Sequence, residues 1–149
     1  MKKVLKNQKG LTLVELLAVI VILGIIAAIA VPAIANIIDN SRKDAHVANA
    51  EALYDAARLA IVAENISASE DNEWTFDAIE EEDESEDTTI NLVVDGYLDN
   101  PPEDPEGDGT YDNAQVVYNG DTYNITLDDY FADDATITEI RSAGRDSVQ

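Results

Sequence analysis

The sequence contains no cysteine, a single histidine and few basic residues, and each scarcity removes a class of function. Without cysteine, its 149 residues can form no disulfide, thiolate zinc site, iron–sulfur cluster or catalytic thiol. A Ser-His-Asp triad or a multi-histidine metal site would depend on His46 alone, which stands among helix-forming residues with no catalytic motif nearby. We therefore expect a protein that is not an enzyme, with His46 as a surface or capping residue rather than a ligand.

The charge is strongly negative and unevenly distributed. Thirty-one Asp and Glu face nine Lys and Arg, for a net charge of −22. Four of the nine basic residues lie within the first ten residues, which contain no acid, so the rest of the chain has five basic against 31 acidic residues, or −26. Such a surface repels phosphate backbones, and we expect no nucleic-acid binding by this chain.

A long apolar run begins at Leu16 and continues without a charged residue to Ile38. As a helix it would measure about 35 Å, enough to cross a hydrocarbon core of about 30 Å. The basic residues before it predict a cytoplasmic amino end and an exported carboxyl end. The run fits a single-pass anchor, while Ala33-Ile34-Ala35 would suit cleavage of a secretory signal. The length of the run, beyond the usual signal core of about 7–15 residues, argues against cleavage there.

Glu15 stands at the start of this run, where a carboxylate is costly. An acid near the bilayer centre costs about 2.5–3.5 kcal/mol, and less near the interface. An unpaired acid at this place suggests a charged partner that one copy of the chain does not contain. The alternative is a carboxylate that simply lies among the lipid headgroups.

The residues around Glu15 resemble a known signature. Lys9-Gly10-Leu11-Thr12-Leu13-Val14-Glu15-Leu16-Leu17 is similar to the amino terminus of type IV pilins and pseudopilins, where a short basic leader ends in glycine. The resemblance is specific over the leader and the apolar run and looser beyond them. It implies a class III signal peptide that prepilin peptidase cuts between Gly10 and Leu11, followed by methylation of the Leu11 amino group. Leu11 departs slightly from the family, in which phenylalanine is commoner at this position.

The same resemblance implies a role in assembly for Thr12, Glu15, Gly24 and Pro32. In these filaments the glutamate neutralises the amino terminus of a neighbouring subunit, and opposite charges attract strongly at low dielectric. The helix between Gly24 and Pro32 would be able to melt on assembly. The implied partners are further copies of the chain, the prepilin peptidase and methylase, the pilus assembly platform with its ATPase, and the inner membrane before assembly.

The expected fold class is α+β, with a long amino-terminal helical spine packed on a small carboxy-terminal antiparallel β-sheet, as in type IV pilins. After Pro32 the helix is predicted to continue to about Ser67, because an apolar stripe at 3-4-3-4 spacing lies on one helix face. This stripe consists of Val47, Ala50, Tyr54, Ala57 and Ile61. The predicted segments are the leader 1–10, the apolar helix 11–38, the amphipathic helix 39–68, an acidic connecting loop 69–100 and a β-sheet head 101–149.

Within the head, the best signal is a hairpin. Asn119-Gly120 suits a type I′ turn between strands over 114–118 and 121–127. A third strand is expected over 135–140. The segment 88–98 is ambiguous, because its residues favour a strand whereas in pilins a short helix often precedes such a Gly-Tyr-Leu sequence. The acidic residues of 70–87 predict a solvated loop.

A weak calcium signal follows. Acidic side chains at Asp104, Glu106, Asp108 and Asp112 partly match a calcium loop, in which oxygens surround a hard cation. The match is incomplete, since Gln115 stands where a bidentate glutamate would close the loop. A plain acidic turn is favoured over a calcium site, and no other cofactor is expected.

The leading hypothesis is a structural one: a prepilin whose mature form polymerises into an extracellular or cell-envelope pilus filament. One alternative is a pseudopilin of a type II secretion or DNA-uptake machine, although DNA-uptake relatives often contain cysteine. A third is a membrane-tethered, calcium-binding adhesion module that never polymerises. Glu15 separates the hypotheses, because a filament subunit needs this carboxylate and a tether does not.

Overall fold

The computed structural model describes residues 8–69, 72–79, 88–107, 109–132 and 134–149, with side chains from residue 12 onward. Most of the leader and of the acidic run therefore lie outside the described residues. The chain divides into two compact units, with the boundary between Asp39 and Asn40. The second unit contains the sheet and its core.

Helix α1 extends from Gln8 to Ala63 and includes Pro32. Leucine, isoleucine and alanine dominate it, and alanine and leucine are strong helix formers. The helix ends four residues before the predicted Ser67, because Asn65 adopts a left-handed conformation (φ 54°). The Ile66 amide then donates to the Ile61 carbonyl at 3.0 Å, as in a Schellman cap, and the helical hydrogen-bond ladder stops there.

The described residues form four strands: β1 (Trp74–Asp77), β2 (Thr89–Asn91), β3 (Ala114–Tyr118) and β4 (Tyr123–Leu127). Their order in the sheet is β2-β1-β3-β4, with β1 and β2 parallel and the other pairs antiparallel. The α+β fold with a long amino-terminal helix and a small, mostly antiparallel sheet is thus confirmed.

Two of these strands lie in the segment 69–100 that was predicted as an acidic connecting loop: β1 falls in its first part, and β2 falls in the stretch 88–98, for which a strand was one of the two open interpretations. Strand β1 contains Phe76, which is fully buried and pairs with Val116 of β3. The free energy gained by burying an aromatic ring exceeds the preference of the surrounding acidic residues for a solvated loop. After β2 the chain turns rather than forming the short helix considered for 88–98, and the buried Leu92 anchors this turn.

The core of the second unit is one cluster of buried apolar residues from helix α1 and the sheet. Across the sheet, Phe76, Val116 and Ile125 are in register and almost completely buried. The predicted helix stripe is confirmed, since Ala50 and Ala57 are buried and Val47, Tyr54 and Ile61 pack against the cluster. The centre of the buried face also includes residues outside that stripe: Leu53, Ala56 and Ala60.

The hairpin lies where predicted, but its turn is not type I′. Residues 119–122 separate Tyr118 from its partner Tyr123, and of Asn119 and Gly120 only Gly120 has a positive φ (93°). The Asn119 side-chain oxygen accepts hydrogen bonds from the amides of Asp121 and Thr122, at 3.1 and 2.9 Å. An asparagine side chain that accepts a hydrogen bond from the backbone amide two residues later stabilises a turn of its own type. This turn forms here in place of the predicted two-residue type I′ turn.

The third strand predicted over 135–140 is wrong, because this segment forms helix α2 (Ile137–Ala143). Thr136 is the N-cap and accepts from the Glu139 amide, while the Glu139 carboxylate accepts from the Thr136 amide at 3.0 Å. This capping box satisfies amides that would otherwise lack partners at the helix start. Ile137 and Ile140 point into the core, and a short 3₁₀ helix (Gly144–Ser147) follows.

Candidate functional site

The apolar part of helix α1 exposes all of its large hydrophobic side chains. From Leu13 to Ile38 these sixteen leucines, isoleucines and valines are 48–70% exposed. Soluble proteins rarely expose contiguous apolar patches beyond a few hundred Å², so a surface of this size marks a contact with lipid or protein. Among the described residues, α1 is the one helix whose length and composition would allow it to cross a membrane. The segment fits a membrane anchor.

Every residue predicted to act in processing or assembly lies in α1. Gly10 and Leu11 have helical backbone, although their side chains are outside the description. Thr12 and Glu15 have exposed side chains, and Glu15 stands among apolar neighbours. The helix is continuous from Gly24 to Pro32, so the predicted melting of this stretch concerns the assembled filament and stays a prediction.

A polar cluster in the second unit surrounds His46, which is completely buried and not a surface residue as predicted. Its Nδ1 lies 2.7 Å from the Tyr111 hydroxyl, and the Tyr130 ring stacks on the imidazole at 3.8 Å between centroids. The Asn49 amide donates to the same Tyr111 oxygen and to the Glu103 carbonyl, both at 2.9 Å. The cluster thus joins helix α1 to the loops on either side of the β3–β4 hairpin.

The hydrogen bonds around Tyr111 bear on the tautomer of the histidine. Asn49 donates to the Tyr111 oxygen, and when the Tyr111 hydroxyl in turn donates to Nδ1, the imidazole proton is on Nε2. Nε2 is buried and has no hydrogen-bond partner among the described residues. Burial lowers the pKa of His46, while the carboxylates of Asp104, Glu106 and Asp128 oppose this shift. Burial of the ring therefore favours the neutral form of His46.

Both tyrosines that contact His46 are also held in the neutral form. Burial raises the pKa of Tyr111 to about 12, against the lowering effect of the Asn49 hydrogen bond. Burial and donation to Asp104 raise the pKa of Tyr130 to about 12. Neutral hydroxyls can donate, as the Tyr130 hydroxyl does to Asp104 Oδ2 at 3.2 Å. The network thus extends from His46 through Tyr130 to the Asp104 carboxylate.

Of the four calcium candidates, Asp104, Glu106 and Asp112 lie within the described residues, and the structure does not gather these three into a metal-binding group. Asp104 uses one carboxylate oxygen to accept from the Glu106 amide at 2.9 Å and the other to accept from Tyr130. Glu106 and Asp112 are exposed, and Asp108 lies outside the described residues. Within the part of the chain that the structure describes, no group of three or more acidic or histidine side chains is arranged to hold a metal ion. Calcium binding stays a prediction.

The sequence did contain a signal for the burial of His46. His46, Ala50, Leu53 and Ala57 follow 4-3-4 spacing, which places the histidine in line with the buried centre of the helix. The interpretation of His46 as a surface residue gave more weight to its polarity than to its position. Nothing local in the sequence identified Tyr111 and Tyr130 as its partners.

Comparison with known proteins identifies the amino-terminal segment. The family model described as the prokaryotic N-terminal methylation motif matches residues 5–31. No curated protein and no solved structure matches the chain. The matched residues include the predicted cleavage site at Gly10 and Leu11, the acid Glu15 and most of the exposed apolar surface. Residues 5–31 thus match the prokaryotic N-terminal methylation motif, which is the class III signal peptide of type IV pilins and pseudopilins.

Proposed function

We propose that this chain is the precursor of a structural subunit that polymerises into a type IV pilus filament. The observation that supports this proposal best is the coincidence of the methylation motif over 5–31 with sixteen exposed apolar side chains between Leu13 and Ile38. Before assembly the segment is an anchor in the inner membrane, with its amino end in the cytoplasm. After assembly the same side chains are covered by neighbouring subunits, in a filament outside the cell or in its envelope.

Processing creates the charge that Glu15 requires. Cleavage between Gly10 and Leu11 by prepilin peptidase removes the basic leader and leaves a methylated, positively charged amine at Leu11. Glu15 of one subunit neutralises this amine on a neighbour in the apolar filament core. Each charge alone is costly at low dielectric, so the pair favours one register of assembly on the platform and its ATPase. The chain is then a building block and not an enzyme.

Intact mass and amino-terminal sequencing of protein sheared from cells test the processing step. We expect a chain that begins at methylated Leu11. A chain that begins at Met1 would contradict cleavage and leave a tethered protein, and a start after Ala35 would indicate a secreted one. The tethered adhesion module considered above is excluded if the processed protein is recovered in filaments.

The substitution Glu15→Gln tests the assembly step, since it removes the charge and keeps the size of the side chain. We expect the variant to accumulate in the membrane and the yield of sheared filaments to fall at least about tenfold, because the buried amine loses its partner. Asp39→Asn, on the same helix but outside the apolar run, is the matched control. Equal filament yields from both variants would contradict the role of Glu15.

A pseudopilin of a secretion or DNA-uptake machine is the second candidate, because the methylation motif also occurs in that class. Both candidates share processing and assembly, so neither of these steps distinguishes them. The length of the fibre does. Electron microscopy of sheared material distinguishes them: long filaments support a pilus, and short fibres retained in the envelope support a pseudopilin.

A further inference from the structure

Helix α1 has a second exposed apolar surface beyond the membrane segment. Ala48, Ala52, Leu59 and Val62 are exposed and, with Asp55 between them, follow 4-3-4-3 spacing. This row, here called the outer stripe, lies opposite the helix face that is buried around Ala50, Leu53 and Ala57. Because the inner face fills the core, the outer stripe has no partner among the described residues of the second unit.

The apolar side chains of the outer stripe are unusual for this chain. Leu59 is 56% exposed and Val62 is 74% exposed, and among described residues after Ile38 only Val94 is a further large hydrophobic with such exposure. The mature chain has a net charge of −26, so most of its surface repels a second copy. The outer stripe contains one acid, Asp55, over four helical turns. It is a place where two copies can approach with little repulsion.

One cation and one anion at the stripe have no ion pair within the described part of the chain. Arg141 pairs with Glu51 and Arg145 with Asp44, whereas Arg58 and Asp55 make no ion pair there. Both side chains are exposed, and Arg58 lies one turn after Asp55 on the same helix. A second copy of the chain brings the same two charges, so Arg58 of one copy complements Asp55 of the other.

We infer that the outer stripe packs against a second copy of this chain in the filament, with Arg58 of one copy paired to Asp55 of its neighbour. This inference rests on the proposed function and adds a contact outside the membrane segment. Leu59 and Val62 exclude water from the contact, and the small side chains of Ala48 and Ala52 let the two chains approach closely. The ion pair sets the register of the neighbours, since unlike charges must face each other across the contact.

Exchange of the two charges tests the pairing. In the full chain, Asp55→Arg and Arg58→Asp are expected to lower the yield of sheared filaments at least about tenfold each, because each places like charges opposite one another. The double variant is expected to restore at least half of the yield of the unmodified chain. Single variants that give the same yield as the unmodified chain would overturn the inference, and so would a double variant that is no better than the single ones.

The apolar side chains of the outer stripe are tested by a second variant with a matched control. Leu59→Ser with Val62→Ser is expected to reduce filament yield at least about fivefold, whereas Val94→Ser, at a similarly exposed valine off the helix, is expected to have no effect. Circular dichroism of the detergent-extracted, processed subunit verifies that each variant is folded. An unchanged yield from the stripe variant would overturn the inference.

Cross-linking supplies a readout that does not depend on yield. The chain has no cysteine, so introduced thiols form the only disulfides. Filaments from cells expressing both an Asp55→Cys chain and an Arg58→Cys chain are expected to give covalent dimers on mild oxidation, and filaments of either chain alone much less. Dimers that are absent from intact filaments would overturn the stripe contact and leave the proposed function standing. If the unmodified chain forms no filaments at all, the proposed function fails, and this inference fails with it.

Discussion

The Nδ1 atom of His46 lies 2.7 Å from the Tyr111 hydroxyl, 65 residues further along the chain, and both side chains are buried. This hydrogen bond joins helix α1 to the loop before β3. The only histidine of the sequence is thereby placed in the interior, where its protonation affects the stability of the second unit.

The buried histidine predicts a loss of stability in mild acid. Burial lowers the pKa of folded His46 below its ordinary value of 6.5, so the unfolded chain binds the proton more readily. The contribution of neutral His46 to the free energy of unfolding is therefore complete above about pH 6.5 and is lost as the pH falls towards the lowered pKa of the folded state. We expect the free energy of unfolding to fall by at most about 1.4 kcal/mol per pH unit in this window.

Urea unfolding of the detergent-extracted full chain measures this dependence. The range from about pH 7.5 to about pH 5.5 extends one unit on either side of the ordinary histidine pKa of about 6.5. His46→Gln is neutral throughout and should remove the slope, whatever its effect on stability at high pH. A slope that persists in His46→Gln would assign the pH dependence to other groups.

Tyr111→Phe removes the hydroxyl that both His46 and Asn49 use. The substitution leaves the Nδ1 atom of a buried imidazole without its hydrogen-bond partner, and an unsatisfied buried group costs about 1–3 kcal/mol. We expect a loss of that size in the free energy of unfolding at neutral pH. Tyr97→Phe is the control, since the Tyr97 hydroxyl donates to Glu64 on the exposed surface; its effect should be clearly smaller.

Gly120→Ala should destabilise the hairpin turn. Gly120 has φ of 93°, and an added Cβ would lie 2.6 Å from the Ala68 carbonyl oxygen, which is too close for a real contact. Strain of this kind costs of order 1–3 kcal/mol. Gly109→Ala, where an added Cβ meets nothing within 4 Å, should leave the thermal midpoint almost unchanged. Parallel thermal melts of the two variants check this, and equal midpoints would contradict the close approach to Ala68.

Filament stability should rise with ionic strength. Subunits with a net charge of −26 repel one another when packed, and salt shortens the range of this repulsion to about 8–10 Å near physiological strength. We expect sheared filaments to dissociate in dilute EDTA buffer and to persist after addition of sodium chloride. Sedimentation in the two buffers measures this, and equal stability would contradict the prediction. Rescue by micromolar calcium instead of salt would favour the calcium site considered at Asp104.

The helix and its apolar half were predictable because their signals are local. A run without charge from Leu16 to Ile38 and the motif around Glu15 need no tertiary information to be recognised. The hairpin position was also predictable from the alternation in β4. Strand β1 was not predictable, because Phe76 lies in a strand only through its pairing with Val116. Helix α2 was not predictable either, because the Thr136–Glu139 capping box stabilises a helix despite the strand propensity of the neighbouring residues.

The sequence by itself determined the match to the N-terminal methylation motif, the long apolar run and the excess of negative charge, since each depends on residue type and spacing along the chain. Only the tertiary structure decided that His46 is buried against Tyr111 and Tyr130, because these residues are separated by more than 60 positions. It also decided which face of α1 fills the core and which face, with Leu59 and Val62, is left exposed. Periodicity shows that a helix has two faces, but packing against the sheet selects the one that is buried.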